Sequence, residues 1–312
     1  MNFNTLLRDE LLRFFNFEIC CMKAELYAIL KNNATLSMEK GKTQLIIECR
    51  DSSVLKKTAA LVKDLFDASL KIEVLEKNCF AGQKRYRGTI EEKEAVIDIL
   101  NTFQYKALID YSSLNSEILQ NDCCKASFVR GTFLSCGYIG NPGKRYLMEF
   151  TFSDKNYGLN FSNLLTELEI KNQVYSRKEN IHIVYLKTGD AISRLLPLTG
   201  AVRTLLEFEN FRVVRATRGE VNRLTNFDTA NIERVSLGSC KHINAVEYLM
   251  EKGMLDNLNE NLIEIARIRV ENPYLSLREI GEKTFPPLTK SVVAYRIRKI
   301  IKYYESFVKK KK

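Results

Sequence analysis

No apolar run in this 312-residue chain approaches the roughly 18 residues that a membrane span needs. The opening stretch, MNFNTLLRDELLRFF, carries acids where a secretory leader wants none. The chain is therefore expected in the cytosol, with no membrane partner. Histidine is scarce, with only His182 and His242, and the eight cysteines (20, 21, 49, 79, 123, 124, 136 and 240) form no C-x-x-C. The usual metal-site spacings are thus absent, and adjacent cysteines do not readily bridge each other. The cysteines read as small buried hydrophobes, and neither a metal nor a cofactor is expected.

What is present is an ordinary globular composition, 45% hydrophobic, long enough for two or three domains and a real core. Charge is unevenly placed. Residues 289–312 hold nine Lys or Arg against the single acid Glu305, which is +8 of the net +10. A basic surplus confined to one terminal element points to a polyanionic partner.

The chain contains a duplication. Shifted by 103 positions, Cys20-Cys21 falls on Cys123-Cys124, Ala24 on Ser127, Ala28 on Gly131, Asn32 on Ser135 and Ala34 on Gly137. Residues four apart share a helix face, so Ala24/Ala28 and Ser127/Gly131/Ser135 draw narrow stripes of small residues along which two helices can approach closely. Leu26, Ile29 and Leu30, with Phe128, Phe133 and Leu134, would bury the flanks.

Apolar periodicity then gives the same order twice. In the first half, helices over 3–14 and 20–32 precede strands at 35–38 and 43–49, joined by a turn containing Gly41. A helix capped by Asp51 or Ser52 follows, then strands at 71–75 and 85–90 and a helix over 92–100. In the second half the helix ending near Gly137 precedes strands at 138–139 and 145–152, a helix over 157–169, strands at 173–177 and 181–187 and a helix near 190–196. Each half is αββαββα, with a four-stranded antiparallel sheet. Pairing the halves about a pseudo-twofold axis through the two small-residue helices would bury a continuous core and leave the sheets as a saddle.

Residues 207–255 are an Asn/Arg-rich linker with helices, notable for RGEVNRLTNFDTAN. Beyond it, a helix over 261–271 stops at Asn272-Pro273. Ser276 to Glu279 fit a capping box opening a short helix with Leu277 and Ile280 inward, and Pro286-Pro287 end it. The last helix starts at Thr289, with Leu288 and Val293 as a hydrophobic staple. Helix, tight break and second helix make a helix-turn-helix pattern. At 3.6 residues per turn Val293, Ile297, Ile300, Tyr304 and Val308 face inward. Ser291, Tyr295, Arg298 and Lys302 face outward, flanked by Arg296 and Lys299. Such donors suit the DNA major groove, and the first turn can meet phosphate.

The duplicated helix, with Arg-Gly-x-Phe-x-x-x-Gly at 130–137, resembles the LAGLIDADG homing-endonuclease fold over roughly residues 1–200. In active members of that fold each motif helix carries an acidic residue before its final small residue, and the two carboxylates hold divalent metal. Here Asn33 and Cys136 stand at those positions, which implies a retained fold and lost nuclease chemistry. The whole chain resembles the bacterial WhiA family of transcriptional regulators, on the run around Pro286-Pro287, Lys290-Ser291, Val293, Arg296 and Arg298 and on the pattern Arg218, Asn222-Arg223, Asn226, Ala230-Asn231. Gly219 departs from it, where Asn is expected.

That resemblance implies an α+β fold. A duplicated αββαββα LAGLIDADG-like pseudo-dimeric domain over 1–206 (halves about 1–103 and 104–206) would precede the linker, and an all-α helix-turn-helix domain with a basic tail would occupy 256–312. It implies a sequence-specific regulator that binds double-stranded DNA through Lys290, Ser291, Tyr295, Arg296, Arg298, Lys299, Lys302, Arg218, Asn222, Arg223, Asn226 and Asn231. Its expected setting is the cytoplasm, associated with the nucleoid, in cell division and chromosome segregation, or in sporulation in actinobacterial relatives. Abundant Lys, Asn and Ile favour the division role. Other transcription or cell-division proteins are candidate partners of the LAGLIDADG-like domain. The alternatives are a metal-dependent endonuclease with relocated carboxylates at Glu39 and Glu149, and a nucleic-acid-binding structural protein.

Overall fold

The computed structural model describes residues 2–39, 42–75, 84–104, 106, 108, 110 and 113–308. The turn at Gly41, Cys79 and the tail lysines 309–312 lie outside them. Two compact units divide the chain, Met1–Ala216 and Thr217–Lys312.

In the first unit the order is α1 (Phe3–Arg13), α2 (Ile19–Asn33), β1 (Ala34–Glu39), β2 (Lys42–Cys49), α3 (Ser52–Phe66), β3 (Lys71–Leu75), β4 (Arg85–Ile90) and α4 (Lys93–Thr102). The second half follows as α5 (Asp122–Cys136), β5 (Gly137–Ile139), β6 (Met148–Phe152), α6 (Lys155–Glu167), β7 (Gln173–Lys178), β8 (Ile181–Leu186) and α7 (Gly189–Leu198). Both sheets are antiparallel with one topology, β1-β2-β4-β3 and β5-β6-β8-β7.

The duplication holds at the level of register. Ala34 pairs with Ile47 in the first sheet and Gly137 with Phe150 in the second, each displaced by 103 positions. The offset is lost between the last two strands, where residues 76–84 in the first half are replaced by 179–180 in the second. Two elements depart most from the sequence expectation. Helix α6 starts at Lys155 because the Asp154 side chain accepts from Tyr157 N at 2.9 Å, and it ends before Glu169, whose φ of 59° is left-handed. Strand β6 spans only 148–152, since residues 142–144 form a turn held by Asn141.

Helices α2 and α5 meet along their small residues. Ala24, Ala28 and Ser127 are buried, and a methyl group added at Gly131 would lie 2.5 Å from the Glu25 carbonyl oxygen and 2.8 Å from Ala28 Cβ. Only glycine permits this approach. Around it, Tyr27 stacks on Phe103 and meets Phe128, which meets Phe161, at centroid distances of 5.8, 5.5 and 6.4 Å. This aromatic chain joins the two halves in one core, and each fully buried ring contributes roughly 1.5–3 kcal/mol.

One polar cluster sits inside that core. Glu25, on α2, holds Lys57 at 2.8 Å and Arg130 at 2.9 Å, all three buried. Lys57 also donates to the carbonyls of Leu11 and Phe14, and Arg130 to Ser127 Oγ and Thr199 O. Burial pulls the Lys57 ammonium below its ordinary pKa, and Glu25 opposes that shift. The cluster ties α1, α2, α3, α5 and the end of α7 together.

Helix α8 (Val202–Glu251) replaces the expected linker and helices with a single 50-residue helix. Its buried side chains are concentrated at its ends, with Thr204 and Phe208 near the start and Ser239, Ala245, Val246 and Leu249 near the finish. In the second unit α9 (Glu260–Glu271), α10 (Leu277–Glu282) and α11 (Lys290–Val308) follow. Val246, Leu249, Leu255, Ile265, Ile280, Val293, Ile297 and Ile300 form its core.

Candidate nucleic-acid interface

Helix α10 and the turn from it into α11 are built by short-range chemistry. Ser276 Oγ accepts from Glu279 N at 3.4 Å, while Glu279 Oε2 accepts from Ser276 N at 2.7 Å, the reciprocal capping box expected from sequence. Those bonds hold the exposed Glu279 carboxyl below its ordinary pKa. At the other end of α10, a methyl group at Gly281 would lie 2.1 Å from Leu288 O, and Leu288 N donates to Gly281 O at 2.9 Å. Thr289 O then accepts from Val292 N and Val293 N to start α11.

A buried arginine secures the turn that leads into α10. Arg269 Nη1 donates to Leu275 O at 2.6 Å and reaches Pro273 O and Ser239 Oγ at 3.4 Å, while Ser239 Oγ itself donates to Pro273 O. The carbonyls of this break are thereby satisfied by α8 and α9. Burial lowers the pKa of Arg269, and burial beside Arg269 lowers that of His242 to about 4.

Helix α11 divides as its periodicity requires. Val293, Ile297 and Ile300 are buried, and Tyr304 packs edge-on against Tyr248 of α8 at 5.2 Å. Val308, expected inward, is 39% exposed because it lies in the final turn, beyond the last buried residue Ile300. The opposite face presents Lys290, Ser291, Tyr295, Arg298, Lys299 and Lys302 to solvent. Lys299 Nζ lies 4.9 Å from the Tyr295 ring centroid, and Arg298 Nε donates to Ala294 O at 3.2 Å, so both cations lie along the helix. Arg296 differs from these. It is half-buried, and Nη1 donates to Asn261 O of α9 at 3.3 Å, a bond that braces the two helices.

On α8, Arg218, Asn222, Arg223 and Asn226 are exposed and Asn231 is half-buried. Arg218, Asn222 and Asn226 share one face by their spacing of four, with Arg223 beside them and Asn231 on another side. The Arg223 guanidinium lies 3.9 Å from where a Gly219 Cβ would stand, so it occupies space beside the glycine.

The motif ends in the first unit, where the sequence resemblance expects paired carboxylates, carry none. Asn33 and Cys136 are the last residues of α2 and α5. Asn33 Nδ2 donates to Ser135 Oγ at 2.8 Å across the pseudo-twofold, and Cys136 Sγ donates to Thr132 O at 3.4 Å, its thiol pushed up to about 12 by burial. A cavity of about 850 Å³ opens over both. Its carboxylates are committed, since Glu48 pairs with Arg87 at 2.8 Å while Asp51 caps α3 and lies 3.4 Å from Arg8. Glu149 is on β6 opposite Tyr138 and Tyr185 and does not line this cavity among the described residues. The Glu39 side chain lies outside what is described.

Residues 19–104 match the WhiA N-terminal LAGLIDADG-like domain, 125–218 the WhiA LAGLIDADG-like domain, and 221–304 the WhiA C-terminal HTH domain. A "Probable cell division protein WhiA" of Carboxydothermus hydrogenoformans is 34% identical over 305 residues, 96% of each chain. The chain belongs to the WhiA family. A Clostridium novyi protein of the same name is 31% identical over the full length of both chains. The crystal structure of full-length DUF199/WhiA from Thermatoga maritima superposes with a TM-score of 0.59 at 25% identity, covering 98% of this chain and 99% of that one. The fold of two LAGLIDADG-like units followed by a helical HTH region is therefore that of the WhiA family.

The periodicity of α11 showed its outward face before the structure did. It did not show that Glu25 gathers Lys57 and Arg130 or that Arg269 meets Ser239, because those partners lie far apart in sequence, nor that Arg269 turns onto the carbonyls of Pro273 and Leu275, since periodicity does not give a side chain's bonding. The one available signal was Arg269 on a stripe otherwise made of Leu262, Ile265 and Ile268.

Proposed function

We propose that this chain is a sequence-specific transcriptional regulator of the WhiA type that binds double-stranded DNA in cell division and chromosome segregation, without nuclease activity. The observation that carries the reading is the face of α11, where Lys290, Ser291, Tyr295, Arg298, Lys299 and Lys302 stand exposed opposite buried Val293, Ile297 and Ile300. Arginine and lysine at base edges and phosphates, with hydroxyls between them, supply both the sequence-reading and the charge-neutralising parts of major-groove recognition. On this reading 256–312 is the reader, and Arg218, Asn222, Arg223, Asn226 and Asn231 in the 207–255 segment add contacts. Residues 1–206 are an accessory domain open to a protein partner. The protein acts in the cytoplasm, on the nucleoid.

The test is fluorescence-anisotropy binding of genomic duplex fragments by the full chain across a salt series, with sequencing of the fragments retained. Steep loss of affinity with salt and an enriched sequence motif are the expected results. Retention without any enriched sequence would overturn the sequence-specific reading.

A further inference from the structure

Cys20 and Cys21 open α2, Cys123 and Cys124 open α5, and the Sγ atoms of all four lie within 4.8 Å of one another. Within each pair the sulfurs are 4.0 and 3.9 Å apart. Across the pseudo-twofold, the Cys21 thiol interacts with that of Cys123 and the Cys124 thiol with that of Cys20, so each copy contributes equivalent partners. Cys21 and Cys124 are buried while Cys20 and Cys123 are exposed, leaving the cluster open to an ion on one side. The sequence offered no such spacing because the four ligands come as two adjacent pairs from two copies of the motif.

We infer that these four cysteines form a tetrathiolate site for one zinc-class divalent ion, which clasps the two halves of the LAGLIDADG-like domain at the start of their paired helices. Tetrahedral Zn–S bonds of about 2.3 Å place sulfurs about 3.8 Å apart, close to the spacing within each pair, and closing the widest separation takes about 1 Å. An iron–sulfur cluster would hold its thiolates farther apart around inorganic sulfide, and this cluster is too tight for one. Soft thiolates select zinc over magnesium or calcium. The four thiols give up four protons to solvent as four Zn–S bonds form, leaving a site of net charge −2. The first turns of α2 and α5, neither with a side-chain cap, meet that charge with the positive ends of two helix dipoles. No group used for DNA binding takes part, so the inference stands independently of the proposed function.

The experiment uses the full chain, purified under reductant without chelator. Elemental analysis is expected to find one zinc per chain. After removal of that zinc, cobalt titration should give the near-ultraviolet sulfur-to-cobalt band and strong visible ligand-field bands of a tetrahedral thiolate site. Cys20→Ser and Cys123→Ser should each weaken cobalt binding at least tenfold, and the double variant should abolish the bands, whereas Cys240→Ser should leave them intact. Circular dichroism checks that the variants fold, and the wild-type cobalt spectrum decides the matter if they do not. A reduced chain that gives no such bands, or bands unchanged in the Cys20 and Cys123 variants, overturns the inference.

Discussion

At Gly131 two effects oppose each other. Replacing a helical glycine by alanine ordinarily gains up to about 1 kcal/mol. Here the new methyl would lie 2.5 Å from a backbone oxygen, and overpacking of that kind costs about 1–3 kcal/mol. Gly131→Ala should therefore destabilise the first unit by about 1–2 kcal/mol in denaturant unfolding, and a stabilised variant would show that α2 and α5 do not approach this closely. Glu25 offers a second case. Glu25→Ala leaves Lys57 and Arg130 buried without their carboxylate and should cost about 3–5 kcal/mol. A loss below about 1 kcal/mol would mean that the carbonyls around both cations suffice. His242 sets a pH dependence. Its pKa is lowered to about 4 from 6.5, so between those values the unfolded chain binds a proton that the folded chain does not. Its contribution is fully present above pH 6.5 and is lost as pH falls toward 4, by about 1–2 kcal/mol after allowance for its partial exposure. The stability of His242→Gln relative to wild type should rise by that amount on acidification, and parallel pH profiles for the two proteins would refute the assignment.

Among the elements, α11 shows most directly how sequence becomes a surface. Branched residues at 293, 297 and 300 bury one side, and the helix must then present 291, 295, 298 and 302 on the other. Arg298 and Lys302 should act differently on DNA. Arg298→Ala is expected to cost about 1–3 kcal/mol on the selected sequence and much less on random duplex, as loss of a bidentate base contact would. Lys302→Ala should weaken both duplexes similarly and lower the salt slope by about 1. Equal losses on both duplexes for Arg298→Ala would assign it to phosphate. Arg296 points the other way, since its bond to Asn261 O makes it a brace between α9 and α11 whose replacement should also lower stability. The face of α11 was legible because exposed and buried positions on one helix are fixed by its own periodicity. The bonding of Arg296 was not, because Asn261 lies 35 residues away.

For the whole molecule, the decisive chemistry is what the duplicated motif ends no longer hold. Asn33 and Cys136 supply no carboxylate, and Glu48 and Asp51 are engaged by Arg87 and Arg8, so among the described residues a hard divalent cation finds no free anionic pair there. Supercoiled plasmid incubated with the full chain and Mg²⁺ or Mn²⁺ should remain uncut. Nicking that EDTA abolishes and Glu149→Gln removes would restore the endonuclease alternative. The sequence by itself determined the duplication, the order of helices and strands along each half, and the outward face of α11. All of these rest on local periodicity or on comparison of the chain with itself at a fixed offset. Only the tertiary structure decided that residues 207–251 continue one helix that starts at Val202, since a helix buried mainly at its ends carries no continuous apolar stripe. Only the tertiary structure gathered Glu25, Lys57 and Arg130 into one core, and Cys20, Cys21, Cys123 and Cys124 into one cluster. Those groupings join residues distant in sequence, and the close crossing of α2 and α5 that positions them is a property of two surfaces packed together.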